Sequence, residues 1–341
     1  MIDFKPLDLN NKAAYDHFLF PTGHKGCEYN FASLFLWGRQ QAAFLGDNLV
    51  FFSQFNRQSV YLYPIGNGDK KLVLDAIIHD AAQRDIPCRL TGLLQADCEE
   101  LERLYPGKFR IHCDREGFDY IYDINDLADL KGKKFQKKRN HLNRFRENHP
   151  QWRTEPLNNE NLPAVLEMAK SWYAHRHEID PQGSYTLEEI ALERALSDPE
   201  KLGLEGLVLL EGQQVLAFSL ASRLSEDTYD VHFEKAREDV DGAYTAINQQ
   251  FAFHLREKHP ELRFLDREED MGLEGLRKGK LSYNPVRLVE KYWARLWEDD
   301  DEDNEFCDDT EDDDWDEDEC DCEDDCDDCD CVCDCDCCCE E

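Results

Sequence analysis

The run from 228 to 236, Thr-Tyr-Asp-Val-His-Phe-Glu-Lys-Ala, reads as a β-strand. Alternation along it sets Asp230, His232 and Glu234 on one face, with Val231 and Phe233 on the other. Carboxylates and an imidazole in a row on a strand suit acyl transfer. A nucleophilic amine or hydroxyl needs a base to take its proton, and Glu234 or His232 is placed to do so directly or through water. The developing oxyanion needs hydrogen-bond donors, which backbone amides on a strand splayed from its neighbour can supply. The alternative is the polar, solvent-facing half of an antiparallel strand.

Two stretches downstream fit the same chemistry. Residues 237–244 form a loop that runs into a helix. Gly242, Ala243, Tyr244 and Thr245 then lie at the positive end of that helix, where a donor's phosphate or an oxyanion can bind. The plainer alternative is that Gly242 only makes the turn. At the end of the next strand, Glu268, Glu269 and Asp270 follow Asp266 and Arg267. These acids could bind a cationic acceptor or the amino group of an aminoacyl donor; equally, they could be the acids that any helix N-terminus favours. His175 and His177 stand at i, i+2 and do not share a helical face, so no metal pair is expected of them.

A basic segment precedes this half of the chain. Residues 131–146 hold eight Lys or Arg and no acid. Lys134, Lys137, Lys138, His141 and Arg144 follow helical spacing along one face. Such a stripe can meet the phosphates of tRNA or an anionic membrane surface. A solvated face, or a dock for the chain's own acidic tail, is the alternative. That tail is extreme: of 75 acidic residues, 28 lie between 298 and 341 with no Lys or Arg, leaving 39 basic and 47 acidic residues in the rest. A segment so charged is expected to stay disordered. It also holds 11 of the 15 cysteines, in C-x-C and C-x-x-C spacings that can clasp zinc or Cu(I). Incidental metal affinity is expected there, and no dedicated metal site. The four cysteines of the body are scattered singly, unlike a secreted disulfide framework. With no signal-peptide pattern and no apolar run long enough to span a bilayer, a cytoplasmic protein is expected.

The elements that must position these groups read as mixed α/β (α+β). Helices are expected at 10–20, 28–41, 70–84 and 96–105, with strands at 42–45, 49–53, 59–63, 88–93, 109–113 and 118–123. After a continuous basic helix over 127–149, the order repeats. Strand 152–157 and helices 161–177 and 186–196 lead to a hairpin over 207–222. The strand 228–236, helix 243–258, strand 262–266, helix 273–281 and a final strand 287–295 follow. The expected division is an N-terminal domain (1–126), a basic linker helix with a C-terminal domain (127–297), and the tail (298–341).

From the hairpin onward the order resembles the GNAT acyltransferase superfold, in which a strand splays from its neighbour and a loop-to-helix turn holds the donor. Two denser stretches resemble a more specific group. They are Lys133-Lys134-Phe135-Gln136-Lys137-Lys138-Arg139-Asn140-His141-Leu142-Asn143-Arg144-Phe145, and the run from Asp266-Arg267-Glu268-Glu269-Asp270-Met271-Gly272 through Tyr283-Asn284-Pro285. Both are similar to the phosphatidylglycerol lysyltransferase C-terminal domain family, over roughly 1–297. The resemblance implies two tandem GNAT-like domains and transfer of an aminoacyl group from charged tRNA to a lipid head group or another amine or hydroxyl. Fem-type peptidoglycan transferases share that architecture and donor. It also implies a general-acid role for Tyr283, for which a packed tyrosine with a satisfied hydroxyl is the alternative. The competing functions are an acetyl-CoA-dependent N-acetyltransferase, with acyl-CoA as donor, and a non-catalytic protein that binds RNA or a membrane surface.

Overall fold

The computed structural model describes residues 1–22, 26–37, 40–55, 58–179 and 185–297. The acidic tail, with the expectations attached to its cysteines, lies outside the described residues. In the first half the strands are β1 (Lys5–Pro6), β2 (Gln40–Phe44), β3 (Asn48–Phe55), β4 (Gln58–Leu62), β5 (Ile65–Gly66), β6 (Arg89–Leu93), β7 (Phe109–Cys113) and β8 (Asp119–Asp123). Its helices are α1 (Lys12–Leu19), α2 (Phe31–Leu36), α3 (Lys70–Arg84) and α4 (Gln95–Leu104). Next come α5 (Ile124–Asp129), α6 (Gln136–Asn148), β9 (Trp152–Pro156), α7 (Leu162–Ile179), α8 (Tyr185–Ser197) and α9 (Pro199–Leu202). The remainder is β10 (Leu204–Glu211), β11 (Gln214–Arg223), β12 (Thr228–Ala236), α10 (Ala243–Lys258), β13 (Phe264–Asp266), α11 (Glu274–Leu281), β14 (Arg287–Val289) and β15 (Tyr292–Leu296).

These strands build two sheets. The first runs β1-β2-β3-β4-β6-β15-β7, with β5 on β3; the second runs β14-β8-β13-β12-β11-β10-β9. Each half of the chain lends a strand to the other's sheet. β8 pairs with β13 and β14, while β15, at the far end of the sequence, inserts between β6 and β7. The parallel pairs are β4–β6 and β12–β13.

Alternation along the strands sends their two faces to different cores. Leu49 and Phe51 of β3 join Phe218 and Leu220 of β11 and Phe233 of β12 in one cluster with α1, α2, α7 and α8, so these helices fill the space between the sheets. Val50 and Phe52 face α3 and α4 in a second cluster. Leu209, Tyr229 and Val231 face α5, α6 and α10 in a third. No helix of the described residues is long and apolar enough to cross a membrane.

Three expected elements are divided differently. The helix expected over 28–41 is only α2, capped by Asn30, whose Oδ1 accepts the Ala32 N–H at 2.8 Å; Gln40 already belongs to β2. The basic helix over 127–149 breaks after Asp129. Leu130 and Gly132 take left-handed backbone (φ 49° and 86°), a 3-10 turn Lys133–Phe135 follows, and only then does α6 begin. Burial explains the break: Leu130 and Phe135 both reach the core, and Arg139 donates to the Leu130 and Gly132 carbonyls and holds the kink closed. Finally, the strand expected over 287–295 is two strands in different sheets, with Glu290 and Lys291 crossing between them.

Candidate active site

β12 and β13 pair only through Thr228↔Phe264, Tyr229↔Leu265 and Asp230↔Asp266. β13 then stops, and the chain leaves through Glu268 and Met271, both at positive φ (56° and 54°). β12 continues to Ala236, so its residues 231–236 have no partner on the β13 side. This is the splay the sequence predicts. On the other side the register slips: Leu220 pairs with Phe233, yet Ala221 pairs with Val231, leaving His232 as the extra residue of a β-bulge.

The bulge corrects the facial assignment made from the sequence. A strict period of two cannot survive an inserted residue, so Glu234 parts company with Asp230 and His232. Asp230 and His232 turn toward Ser33 of α2, while Glu234 turns toward α10 and accepts from Asn248 (3.1 Å) and Arg267 (2.9 Å).

Around His232 the groups are tightly enclosed. Its side chain is 3% exposed. Nε2 lies 2.8 Å from Ser222 Oγ, and that hydroxyl donates to Asn30 Oδ1 at 3.0 Å. Nδ1 faces Ser33 Oγ (3.3 Å), Glu268 Oε1 (3.3 Å) and Asp230 Oδ2 (3.6 Å). Next to this group, Lys291 sits at the sheet-to-sheet crossing. Its ammonium meets Asp119 (2.8 Å), Glu28 (2.8 Å) and Glu269 (3.4 Å), and lies 3.8 Å from Cys27 Sγ. The Cys27 N–H donates to Asp119 Oδ2 at 2.9 Å and its thiol to Glu269 at 3.3 Å. Gly26 is required here, because a Cβ would run into the Glu28 carboxylate and the Lys291 stem.

Electrostatics follow from this crowding. Burial raises the Asp119 carboxyl well above its ordinary value, with Asp266 adding to the effect and Lys291 opposing it. Burial likewise raises Asp230 and Glu268, and pushes Asp266 up to about 7. Burial would raise Glu269 too, but Lys291 and the Cys27 thiol outweigh it and bring that carboxyl to about 2. Burial keeps Cys27 a neutral thiol. Glu28, Glu268 and Glu269 keep 29%, 20% and 33% of their side chains exposed, so the cluster opens to solvent through them.

The phosphatidylglycerol lysyltransferase C-terminal family matches residues 21–295 of this chain. The chain belongs to that family. A conserved protein of unknown function from Bacteroides thetaiotaomicron is similar at 38% identity and a TM-score of 0.82, over 87% of this chain and 100% of that one. L-PGS from Bacillus licheniformis is similar at 17% identity and a TM-score of 0.60, over 86% and 93%. FemX is similar at 11% identity and a TM-score of 0.55, over 86% and 97%. The chain spans about half the length of the curated relative it matches. The fold is thus the tandem GNAT-like one expected.

Within this lysyltransferase-family fold, the residues singled out from sequence disperse. The three successive acids diverge: Glu268 joins His232 and Glu269 joins Lys291, while Asp270 is sealed off by Arg277 (2.9 Å), Arg115 (3.2 Å) and Tyr120 (2.5 Å). Asp270 is fully buried and anchors the loop, so it does not face a ligand with the other two. Tyr283 is buried with its hydroxyl 3.5 Å from Thr245 Oγ1. Its ring is flanked by Lys138 (4.0 Å) and Arg267 (5.0 Å), on the Glu234 side of the strand. Gly242 is left-handed (φ 79°), and a Cβ would lie 2.5 Å from the His141 carbonyl and 3.0 Å from Phe145 Cβ, so packing on α6 alone requires glycine there. Ala243 is buried, with its N–H on the Val240 carbonyl (3.1 Å); Thr245 is buried and Tyr244 half-exposed.

The basic stripe is partly engaged within the chain. Lys134 meets Asp126 at 2.7 Å, and Arg144 meets Asp241 (3.3 Å) and His141 (2.9 Å); Lys137 lies in α6. His175 pairs with Glu238 and His177 with Glu189 (3.6 and 3.7 Å), not with each other. A separate groove of about 600 Å³ runs beside the loop that follows β12, lined by Trp172, Gln214, Arg237 and Glu238 among others.

Cys27, Glu28, Asn30, Ser33, Asp119, Ser222 and Lys291 are absent from the sequence-based site. They reach it from distant segments, and no spacing could relate them.

Proposed function

We propose that this chain transfers an aminoacyl group from a charged tRNA to an amine or hydroxyl acceptor, at the acidic mouth where β12 leaves β13. One observation carries the proposal. Three carboxylates, Asp119, Glu28 and Glu269, surround the single ammonium of Lys291, and two of them are partly exposed. That excess of carboxyl groups over ammonium, open to solvent on one side, suits a second ammonium, such as the one every aminoacyl ester carries. The edge of β12 beside it that β13 leaves unpaired supports the reading, since backbone amides outside a ladder suit an oxyanion. A tRNA donor or an anionic surface is accommodated by the exposed part of the α6 stripe, because exposed ion pairs such as Lys134–Asp126 are weak and exchange readily for phosphate. The acetyl-CoA alternative has less to rest on, since Gly242 is explained by its contact with α6.

Incubation of the full chain with radiolabelled aminoacyl-tRNAs, followed by separation of lipid, amine and soluble products, tests this function. Transfer from one or a few tRNAs is expected. Replacing Glu28 and Glu269 together by Gln is expected to reduce it about 10- to 100-fold, the value of losing charged hydrogen bonds. Acetyl transfer from acetyl-CoA with every charged tRNA inert would refute it, and an undiminished double variant would move the ammonium site elsewhere.

A further inference from the structure

We propose that Asp230, His232 and Glu268 form a binding site for a divalent transition-metal cation of the zinc or manganese class. The inference starts from hydrogen counting. Asn30 Oδ1 is fixed as the oxygen of its amide because it accepts the Ala32 N–H. The Ser222 hydroxyl has one hydrogen and gives it to that oxygen, so toward His232 it can only accept. His232 therefore carries its proton on Nε2, and in the neutral ring Nδ1 presents a bare lone pair. That lone pair faces Glu268 Oε1 and Asp230 Oδ2. Ser33, the remaining hydroxyl, gives its single hydrogen to Asp230 Oδ2. Three electron-pair donors thus converge on one another, and the hydroxyls around them supply no proton to the gap.

Two further atoms sharpen the need for a cation. Asp230 Oδ1 and Asp266 Oδ2 are buried and have no hydrogen-bond partner, and both residues are fully buried, opposite each other across the β12–β13 ladder. A proton on Nδ1 would leave one negative charge on the Asp230–Glu268 pair and both orphan oxygens unmet. A divalent cation would neutralise the pair and draw in the oxygens.

The spacing fits. Four ligands about 2.0–2.2 Å from a tetrahedral ion lie about 3.3–3.6 Å from one another. Nδ1 lies 3.3 Å from Glu268 Oε1 and 3.6 Å from Asp230 Oδ2, and all three ligand atoms lie within 4.8 Å of one another. Imidazole with two carboxylates is a donor set for zinc or manganese. The Ser222–Asn30 chain is the outer brace that orients a ligating imidazole by its other nitrogen. The backbone is shaped for the purpose as well. The bulge re-aims His232, and Glu268 is held at positive φ by its N–H on Asp266 Oδ1 (2.8 Å) and by Lys280 on its carbonyl (3.2 Å). The neighbouring trio Cys27, Asp119 and Glu269 makes no such site, because the Lys291 ammonium already occupies its centre.

The test uses the full chain, stripped with a chelator and titrated with Mn²⁺, which the thiolates of the tail disfavour. Binding to the folded state at a hundredfold excess over Kd should raise Tm by about 4 °C. Glu268→Gln and Asp230→Asn should each abolish that rise. Each should also raise the Tm of the metal-free protein, because each removes the cost of crowding two carboxyls together in a largely buried site. That rise also serves as the folding control, and Mn²⁺ should broaden the His232 ring resonances in wild type alone. The proposal is overturned if neither Mn²⁺ nor Zn²⁺ moves the wild-type Tm. It is equally overturned if the variants respond like wild type, or if His232 is an imidazolium both before and after metal addition. None of these readouts depends on aminoacyl transfer.

Discussion

Lys291→Met isolates the contribution of the ammonium at the crossing between the sheets. The lysine side chain is 7% exposed, and of its two carboxylate partners at 2.8 Å, Asp119 is fully buried. Removing one member of such a pair leaves the other charge buried and alone, which costs about 3–5 kcal/mol. A body of this size unfolds with an entropy near 0.6 kcal/mol/K, so Tm should fall by about 5–8 °C at neutral pH. The pH dependence has a definite sign. Glu269, held near 2 by Lys291 against the opposing effect of burial, contributes stability above the ordinary carboxylate range and loses it as pH falls toward 2. Without Lys291 that contribution disappears, while Asp119, already raised by burial, takes a proton still more readily. The deficit of the variant should therefore be largest at pH 7 and shrink toward pH 4.5. Urea unfolding at both values measures it, and Asp119→Asn added to Lys291→Met should recover part of the loss. A deficit below about 1 kcal/mol, equal at both values, would mean that the cluster behaves as an exposed ion pair and that its charges are not buried in effect.

Local signals carried the elements well. The hairpin across Gly212, the amphipathic α3 and the β12–loop–α10 passage all follow from patterns within a few residues, and the structure realises each of them. Failures came where a distant partner decided the outcome. The bulge at His232 has no signature in 228–236, because it is defined by register against β11. Leu130 and Lys291 interrupt runs that read as continuous, one to bury an apolar side chain and the other to carry an ammonium between sheets. The site was half legible for the same reason. His232 was visible as a polar residue within a strand and Glu268 as an acid just past one, whereas Ser33, Asn30 and Cys27 arrive from about 200 residues away. Glu234 and Tyr283 lie on the α10 side of the strand, away from His232, in packed and paired surroundings that alternation alone does not reveal.

Three further predictions separate structural from functional roles. Reversing the charge of Lys134, Lys137 and Lys138 together should weaken tRNA or anionic-vesicle binding and flatten its salt dependence while leaving Tm within about 1–2 °C; unchanged binding to both would remove α6 from the interface. Asp80 accepts from the Ile2 N–H (2.5 Å), Tyr61 (2.8 Å) and Arg84 (2.6 Å), which together overcome the effect of burial and hold its carboxyl below the ordinary range. Its contribution is present above that range and lost as pH falls through it, so the stability gap between wild type and Asp80→Asn, about 3 kcal/mol at pH 7, should close below about pH 4. Gly242→Ala decides between the two readings of the turn before α10. A Cβ at φ 79° is strained in itself, by about 1 kcal/mol or more, and here it would also meet the His141 carbonyl at 2.5 Å. That atom is backbone of α6 and cannot swing aside, so α6 must shift or the turn must open. Urea unfolding should show a loss of about 2–3 kcal/mol without any ligand present, with faster amide exchange along α6 and the start of α10. A donor-binding glycine would behave in the opposite way, with stability near wild type and a loss confined to donor affinity. Stability within about 0.5 kcal/mol of wild type would therefore refute the packing account and return Gly242 to the donor site.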